Sequence, residues 1–250
     1  MTKYAVITSV DQNYYDHCGK ACIETFSAYW PDDITLYVYN EDMEKPKKKK
    51  HVEYISWDNL TDLPAFLERT ENTHVKKFAK KAFSIIHALE NIECDKLIWL
   101  DADTVTIREM TRQFLNLISP PDVLSTHFNV KHAWPSEDDP NRVSISCETG
   151  FFIVNKRHPM ADALTARYKE YYLKDLGYNL RRFYDGEVYG AVIQEMEQQG
   201  AKMLDLNPDI EFKTPMPRSV IAPYINHMKA GRKDNVTNDQ LLQGMDLLDE

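Results

Sequence analysis

The chain has 250 residues, of which 43% are hydrophobic and 28% are charged, and its formal net charge is −9. This is the composition of a globular protein, and the length fits one large domain over residues 1–250. The excess of acidic residues argues against non-specific binding of nucleic acid. The absence of a signal peptide and of any run of 18 apolar residues predicts a cytoplasmic protein without a membrane span.

The first half alternates strand and helix patterns. Strands are predicted at 4–10, 34–39, 52–57 and 97–100, helices at 15–29 and 74–92, and a basic loop, KPKKKKH, at 45–51. The longer helix presents a row of apolar residues on one face, namely Phe78, Ala82, Ile85, Ile86 and Leu89. The alternation predicts an α/β fold with a mostly parallel central sheet flanked by helices.

The second half is less regular. Its predicted strands are at 122–126 and 151–154, and its predicted helices at 160–173, 187–199 and 237–248. A polar loop is expected at 132–143, and a proline-rich stretch without periodicity at 208–235.

Two acidic residues follow the most apolar strand. The run LIWL at 97–100 is typical of a strand buried on both faces, and it leads directly into Asp101 and Asp103. Residues two apart point the same way in extended chain, and the carboxyl ends of parallel strands are where open α/β sheets bind ligands. Two carboxylates aimed at one place need a cation or a proton between them, and oxygen ligands favour Mg²⁺ or Mn²⁺. The alternative is that these aspartates only begin a turn or cap a helix.

The order of six short segments resembles one enzyme family. The segments are VITSVDQNYY, HVKKFAKKAF, LDADTVTI, ETGFFIVN, FYDGEV and INHMKAGRK. In this order they resemble the GT-A glycosyltransferases, above all the group of glycogenin and the bacterial lipopolysaccharide galactosyltransferases. The resemblance implies a Rossmann-like GT-A fold with a nucleotide-binding half at 1–107. It also implies an acceptor-binding half at 108–250, whose C-terminal segment closes the site.

The resemblance also implies a metal site. Asp101 and Asp103 match the family's D-x-D motif, which holds a divalent metal, usually Mn²⁺, with Mg²⁺ as the other candidate. His227 matches the third metal ligand, and Gly231 and Lys233 match the glycine and lysine that follow it. The spacing differs from the family's, and Asp234-Asn235 stands where the family has proline and tryptophan.

Other residues are candidates for nucleotide binding. The predicted contacts include Thr8, Val10 and Ala102. Lys77 and Lys81 lie four apart on one helical face and could neutralise phosphate charge, although such a run is commonly a solvated surface. Tyr14 or Tyr15 could stack on the base, although loop aromatics often only pack.

Two further motifs are candidates for the sugar side. Glu148-Thr149-Gly150 matches a small-residue motif that opens onto the donor sugar, or is simply a turn. Asp185-Gly186-Glu187 resembles an acidic motif beside the sugar but lacks its central amide, or else Asp185 only caps a helix. The resemblance implies retention of anomeric configuration, whereas inversion would need a catalytic base, for which Glu148, Asp185 and Glu187 are the candidates.

These observations predict a metal-dependent glycosyltransferase. Its donor would be a nucleotide diphosphate sugar, preferably a uridine one. Its acceptor would be a hydroxyl of a saccharide, with a modified DNA base or a protein also open. The sequence leaves the oligomeric state open.

Two alternatives remain. LDADTVT also fits the signature of haloacid-dehalogenase-type phosphatases and phosphotransferases, with Asp101 as nucleophile. That motif normally lies on the first strand, and the later acidic pair of that class is missing here. The other alternative is a non-catalytic nucleotide-sugar-binding protein, against which the intact acidic pair argues.

Overall fold

The structure, a computed structural model, describes residues 1–43 and 48–228. The strands in the first half of the chain are β1 (Tyr4–Val10), β2 (Thr35–Asn40), β3 (Val52–Ser56), β4 (Lys96–Leu100), β5 (Thr104–Thr106) and β6 (Ser125–His127). Those that follow are β7 (Asn129–Ala133), β8 (Val143–Cys147), β9 (Phe151–Asn155), β10 (Met203–Asp205) and β11 (Ile225–His227). The helices are α1 (Gln12–Tyr14), α2 (Lys20–Tyr29), α3 (Leu63–Arg69), α4 (Thr73–Asn91), α5 (Arg112–Ile118), α6 (Ala161–Leu173) and α7 (Asp185–Gln198).

A seven-stranded sheet in the order β10-β6-β9-β4-β1-β2-β3 forms the centre of the fold. β9 runs antiparallel to its neighbours β4 and β6, and the other pairs in this sheet are parallel. Two small antiparallel sheets accompany it, β5 with β11 and β7 with β8. The predicted α/β architecture with a mostly parallel central sheet is therefore confirmed.

The strand β4 explains why the sheet is covered on both faces. Leu97 and Trp99 pack into an apolar cluster with α4, α6 and α7, whereas Ile98 and Leu100 pack into a second cluster with α2 and α5. Successive side chains of a strand point to opposite faces, so a continuous apolar run needs a helical layer on each side. The buried sheet holds the end of β4, and with it Asp101, at a fixed place.

The helix α4 begins where its sequence provides a cap. The Oδ1 of Asn72 accepts hydrogen bonds from the backbone N–H groups of His74 (3.0 Å) and Val75 (3.2 Å). This satisfies two of the donors that the first turn of a helix leaves free. The cap fixes the helix that carries the predicted lysines across the face of the sheet.

Several elements differ from the sequence predictions. The polar loop predicted at 132–143 connects the two strands of a hairpin, β7 and β8, and its ends belong to these strands. The strand predicted at 122–126 is found at Ser125–His127. The helix predicted at 15–29 contains a π-helical turn at Tyr15–Gly19 before α2. Among the helices and strands, several short ones were not predicted from the sequence, namely α1, α3, α5, β5, β7, β8, β10 and β11.

Some predictions fall on residues 44–47 and 229–250, which lie outside the described residues. They are the helix at 237–248, part of the basic loop, Gly231 and Lys233, and the closing C-terminal segment. Within 1–43 and 48–228, no helix combines the length and apolar composition needed to cross a bilayer.

Candidate functional site

The D-x-D segment lies at the carboxyl end of β4, next to β1 and β9 in the middle of the sheet. The backbone N–H of Asp101 donates to the carbonyl of Gly150 (2.9 Å), which joins this segment to the loop before β9. The Asp101 carbonyl accepts from the N–H (3.0 Å) and the hydroxyl (2.6 Å) of Thr104. Asp101 thus does begin a turn, but its carboxylate faces the cleft, where it accepts from the indole of Trp99 (2.7 Å).

The strand β11 brings His227 back to this segment. In its antiparallel pairing with β5, His227 lies opposite Thr104, and the N–H of Met228 donates to the carbonyl of Asp103 (2.9 Å). The Nε2 of His227 is 3.2 Å from Asp103 Oδ1 and 3.9 Å from Asp101 Oδ2. One ligand atom from each of the three residues lies within 4.8 Å of the other two, so they could hold one metal ion.

Gly150 makes room for this histidine. A Cβ at position 150 would lie 2.7 Å from His227 Cε1 and 3.0 Å from the sulfur of Met216. Such distances are shorter than carbon contacts tolerate, so only glycine lets the imidazole approach this backbone.

The electrostatics of the cluster favour a positive charge between the carboxylates. Burial raises the pKa of Asp101, and the charge of Asp103 raises it further, against the opposing effect of Lys81. Burial alone would lower the pKa of His227, but its close contact with Asp103 (3.2 Å) and the surrounding carboxylates outweigh burial and raise it. A proton or a metal ion would relieve the same repulsion.

Lys81 of α4 joins the two acidic motifs. Its Nζ lies 2.7 Å from Asp101 Oδ1, 2.8 Å from Asp185 Oδ2 and 2.7 Å from the carbonyl of Thr149. The hydroxyl of Thr149 donates to the same Asp185 oxygen (2.6 Å). Burial lowers the pKa of Lys81, but the two carboxylates raise it by more, and Lys81 in turn holds the pKa of Asp185 below its usual value despite burial. Lys81 is therefore a buried cation that holds both motifs together.

A cleft of about 820 Å³ lies over this cluster. The predicted site residues that line it are Val10, Tyr14, Lys77, Lys81, Asp101, Ala102, Asp103, Glu148, Asp185 and His227. Lys77 is exposed on the cleft wall, so the same helical face carries one solvated and one buried lysine.

Three of the predicted site residues that the structure describes lie outside this lining. Thr8 is buried within β1, and Tyr15 is half-buried against the α2 side of the core. Glu187 is buried and forms an ion pair with Arg181, and it accepts a weak hydrogen bond from Ser144 (3.4 Å). The chemistry of Glu187 is therefore that of a buried structural carboxylate.

Other residues of the cleft were not predicted from the sequence. Trp57, at the end of β3, and Tyr184, immediately before the second acidic motif, both line it. The rings of Tyr184 and Phe78 lie 5.4 Å apart. Their positions next to the ends of a strand and a helix could have predicted that they line the cleft, because the loops that follow parallel strands lie at one edge of the sheet.

Gly186 explains why the second acidic motif lacks a central side chain. A Cβ at this position would lie 2.4 Å from the backbone carbonyl oxygen of Cys147. Because that oxygen belongs to the backbone at the end of β8, it cannot move aside as a flexible side chain would. The amide of the related motif therefore has no space here.

We expect Gly186→Ala to lower the free energy of unfolding by about 1–3 kcal/mol, as overpacking does. An exposed helical glycine changed to alanine would instead gain up to about 1 kcal/mol, so the sign of the effect is diagnostic. Urea unfolding of both proteins measures it, and an unchanged or increased stability would contradict the close approach to Cys147.

Comparisons with protein-family models and with curated protein sequences gave no match. Among solved structures, the chain is similar to the galactosyltransferase LgtC, solved with donor and acceptor sugar analogues, with a TM-score of 0.55 and 14% identity over 97% of this chain and 95% of that one. It is also similar to the bifunctional glycosyltransferase WbbM (TM-score 0.60, 13% identity, 98% of this chain) and spans 50% of that protein's chain. A glycosyltransferase involved in glycosylation of the major capsid of PBCV-1 gives a TM-score of 0.52 and 15% identity over 94% of this chain and 100% of that one. At these identities the likeness shows the fold, and the predicted GT-A fold is confirmed.

Proposed function

We propose that this chain, which has the fold of the GT-A glycosyltransferases, is a metal-dependent glycosyltransferase. It would move a sugar from a nucleotide diphosphate sugar, preferably a uridine one, to a hydroxyl of a saccharide acceptor. The observation that carries the proposal is the group of Asp101, Asp103 and His227 at the end of the central strand, inside a cleft large enough for such a donor. Residues 1–107 would contribute most of the nucleotide site, and residues 108–250 most of the acceptor site.

The ligand atoms of the cluster fit a divalent cation. Two carboxylates and one imidazole lie within reach of one ion, and their pKa shifts indicate that a positive charge between them is favourable. Mg²⁺ prefers oxygen ligands alone, so the imidazole favours Mn²⁺. When bound, the metal would neutralise negative charge that develops on the leaving diphosphate.

The chain's own residues have separate tasks in this proposal. Lys81 orients Asp101 and Asp185 through its contacts of 2.7 and 2.8 Å, and Lys77 is free to reach a phosphate from the cleft wall. Tyr14 lines the cleft beside Asp103, where its ring could border the nucleotide, whereas Tyr15 lies outside the lining. We therefore assign the nucleotide contact to Tyr14.

The acceptor side points to one carboxylate. Asp185 is engaged by Lys81 and Thr149, and Glu187 by Arg181. Glu148 lines the cleft and lies 3.8 Å from Nδ1 of His227. We propose retention of configuration, as for the family that the sequence resembles; were the reaction inverting, Glu148 would be the base.

The phosphotransferase alternative gains no support from the fold, because the similar solved structures named above are glycosyltransferases. Release of nucleoside diphosphate from a panel of nucleotide sugars, with Mn²⁺ and with a chelator, tests the proposal. We expect release from one donor only with metal. Binding without release would favour the non-catalytic alternative. If no donor binds and none is cleaved, the proposal is wrong.

The raised pKa of His227 gives the metal site a pH dependence. Because a metal binds neutral imidazole, it must displace the proton that the carboxylates hold on His227. As the pH is lowered, we expect Mn²⁺ affinity to begin to fall at a pH above the ordinary histidine pKa of about 6.5. Below the raised pKa of His227, the affinity should fall about tenfold per pH unit. Calorimetric titrations between pH 5.5 and 8.5 measure this. His227→Asn, the matched variant, should bind more weakly with a flatter slope, and equal slopes would contradict the assignment.

A further inference from the structure

A second cavity adjoins the cleft. It has a volume of about 730 Å³ and shares four lining residues with the cleft, namely Phe78, Cys147, Glu148 and Tyr184. The neighbouring rings of Phe78 and Tyr184 form the boundary, and Glu148 lies where the two cavities meet. A molecule in the second cavity can therefore extend into the cleft beside Glu148.

The lining of this cavity is cationic. Arg182 and Lys213 are exposed in it, and in the described part of the chain neither forms an ion pair with a carboxylate. The guanidinium of Arg182 makes only a long hydrogen bond to the Tyr184 hydroxyl (3.4 Å), and Lys213 donates to the carbonyl of Lys131. In contrast, Arg181 is neutralised by Glu187. Two cations thus have charge available for a ligand.

An exposed aromatic ring accompanies these cations. The side chain of Tyr178 is 53% exposed, yet its ring is held edge-on against Phe183 with the centroids 4.9 Å apart. A rigid ring with one open face suits the apolar C–H face of a sugar, at little cost in conformational entropy. The combination of cations and a ring is that of a site for a charged saccharide.

We propose that the acceptor is an anionic saccharide, whose phosphate or carboxylate group binds Arg182 and Lys213 in the second cavity. The inference rests on the proposed glycosyltransferase function. The acceptor hydroxyl reaches the cleft beside Glu148 and forms a bond to the anomeric carbon. The bond from that carbon to the diphosphate breaks, its electron pair leaves with the diphosphate, and the hydroxyl proton passes to the leaving phosphate oxygen.

The charge distribution of the chain favours a small anion over a long one. The net charge of −9 repels an extended polyanion, whereas two cations inside one cavity attract a single anionic group at short range. This argues against a nucleic acid as the acceptor.

The test compares saccharides that differ only in charge. A hexose 6-phosphate, a uronic acid and the neutral hexose are titrated into the full chain by calorimetry, without nucleotide and with Mn²⁺ and UDP filling the cleft. We expect one or both anionic sugars to bind at least about tenfold more tightly than the neutral one. The comparison of the hexose 6-phosphate with the uronic acid distinguishes phosphate from carboxylate recognition.

The variants are chosen to separate this cavity from general surface charge. The double variant Arg182→Gln/Lys213→Gln should lose the preference, whereas Arg108→Gln, an exposed cation outside both cavities, should retain it. Equal binding of charged and neutral sugars, no binding of either anion, or an unchanged preference in the double variant would overturn the inference. Metal-dependent hydrolysis of the donor by the unaltered chain needs no acceptor, so its failure would count against the proposed function alone.

Discussion

Replacing Asp103 by asparagine is expected to lower metal-dependent turnover of the donor by about 100-fold or more, as removal of charge stabilisation at a reacting phosphate does. Asp103 is buried and its Oδ1 lies 3.2 Å from His227 Nε2, so it would face an ion held by this cluster. The amide has nearly the same shape but no charge, so the loss should come from metal binding and not from folding. Steady-state kinetics with Mn²⁺ measure the effect.

A thermal-stability experiment supplies a second readout for the same change. A ligand that binds only the folded chain stabilises it by about 2.7 kcal/mol at 100 times its dissociation constant. Mn²⁺ should therefore raise the Tm of the unaltered chain and of Asp138→Asn, an exposed matched control, but not that of Asp103→Asn. Equal increases in the Tm of all three proteins would mean that Asp103 is not a metal ligand.

Replacing Lys81 by methionine is expected to cost about 3 kcal/mol of folding free energy and most of the activity, because two carboxylates lose their shared cation. The side chains of Lys81 and Asp185 are only 12% and 10% exposed, so water can replace only part of the lost contacts. Asp101 and Asp185 would then repel each other across the site. Urea unfolding and donor turnover measure the two effects.

Lys77→Met is the matched stability control on the same helix. Lys77 is exposed, and changes at such positions usually alter stability by less than about 0.5 kcal/mol. A loss in Lys81→Met no larger than in Lys77→Met would mean that the buried contacts of Lys81 do not hold the two acidic motifs together.

The sequence predicted the parts of the fold that depend on apolar periodicity. The apolar run at β4 predicted both the buried strand and the position of Asp101 and Asp103 at its end. A strand that is covered on both faces lies in the interior of a sheet, so the residues that follow it are fixed there too. Short elements escaped prediction because packing, not periodicity, defines them. The hairpin of β7 and β8, in which seven of the ten strand residues are polar or exposed, is an example.

The candidate site could be predicted only in part. His227 lies 124 positions after Asp103 (227 − 103), and only the pairing of β11 with β5 brings the two together. No local pattern encodes that pairing, so the order of the family's motifs supplied the expectation. Glu187, by contrast, matched a motif but faces Arg181, because residues two apart on an α-helix project about 200° apart and α7 begins at Asp185. Spacing in sequence could not distinguish Asp185 from Glu187.

Calorimetric binding of a panel of nucleotide sugars to the unaltered chain and to Asp103→Ala, with and without Mn²⁺, tests the central claim most directly. We expect one donor to bind the unaltered chain only with Mn²⁺, and we expect Asp103→Ala not to bind it. Failure of every donor to bind in the presence of Mn²⁺, or equal binding by both proteins, would contradict this claim.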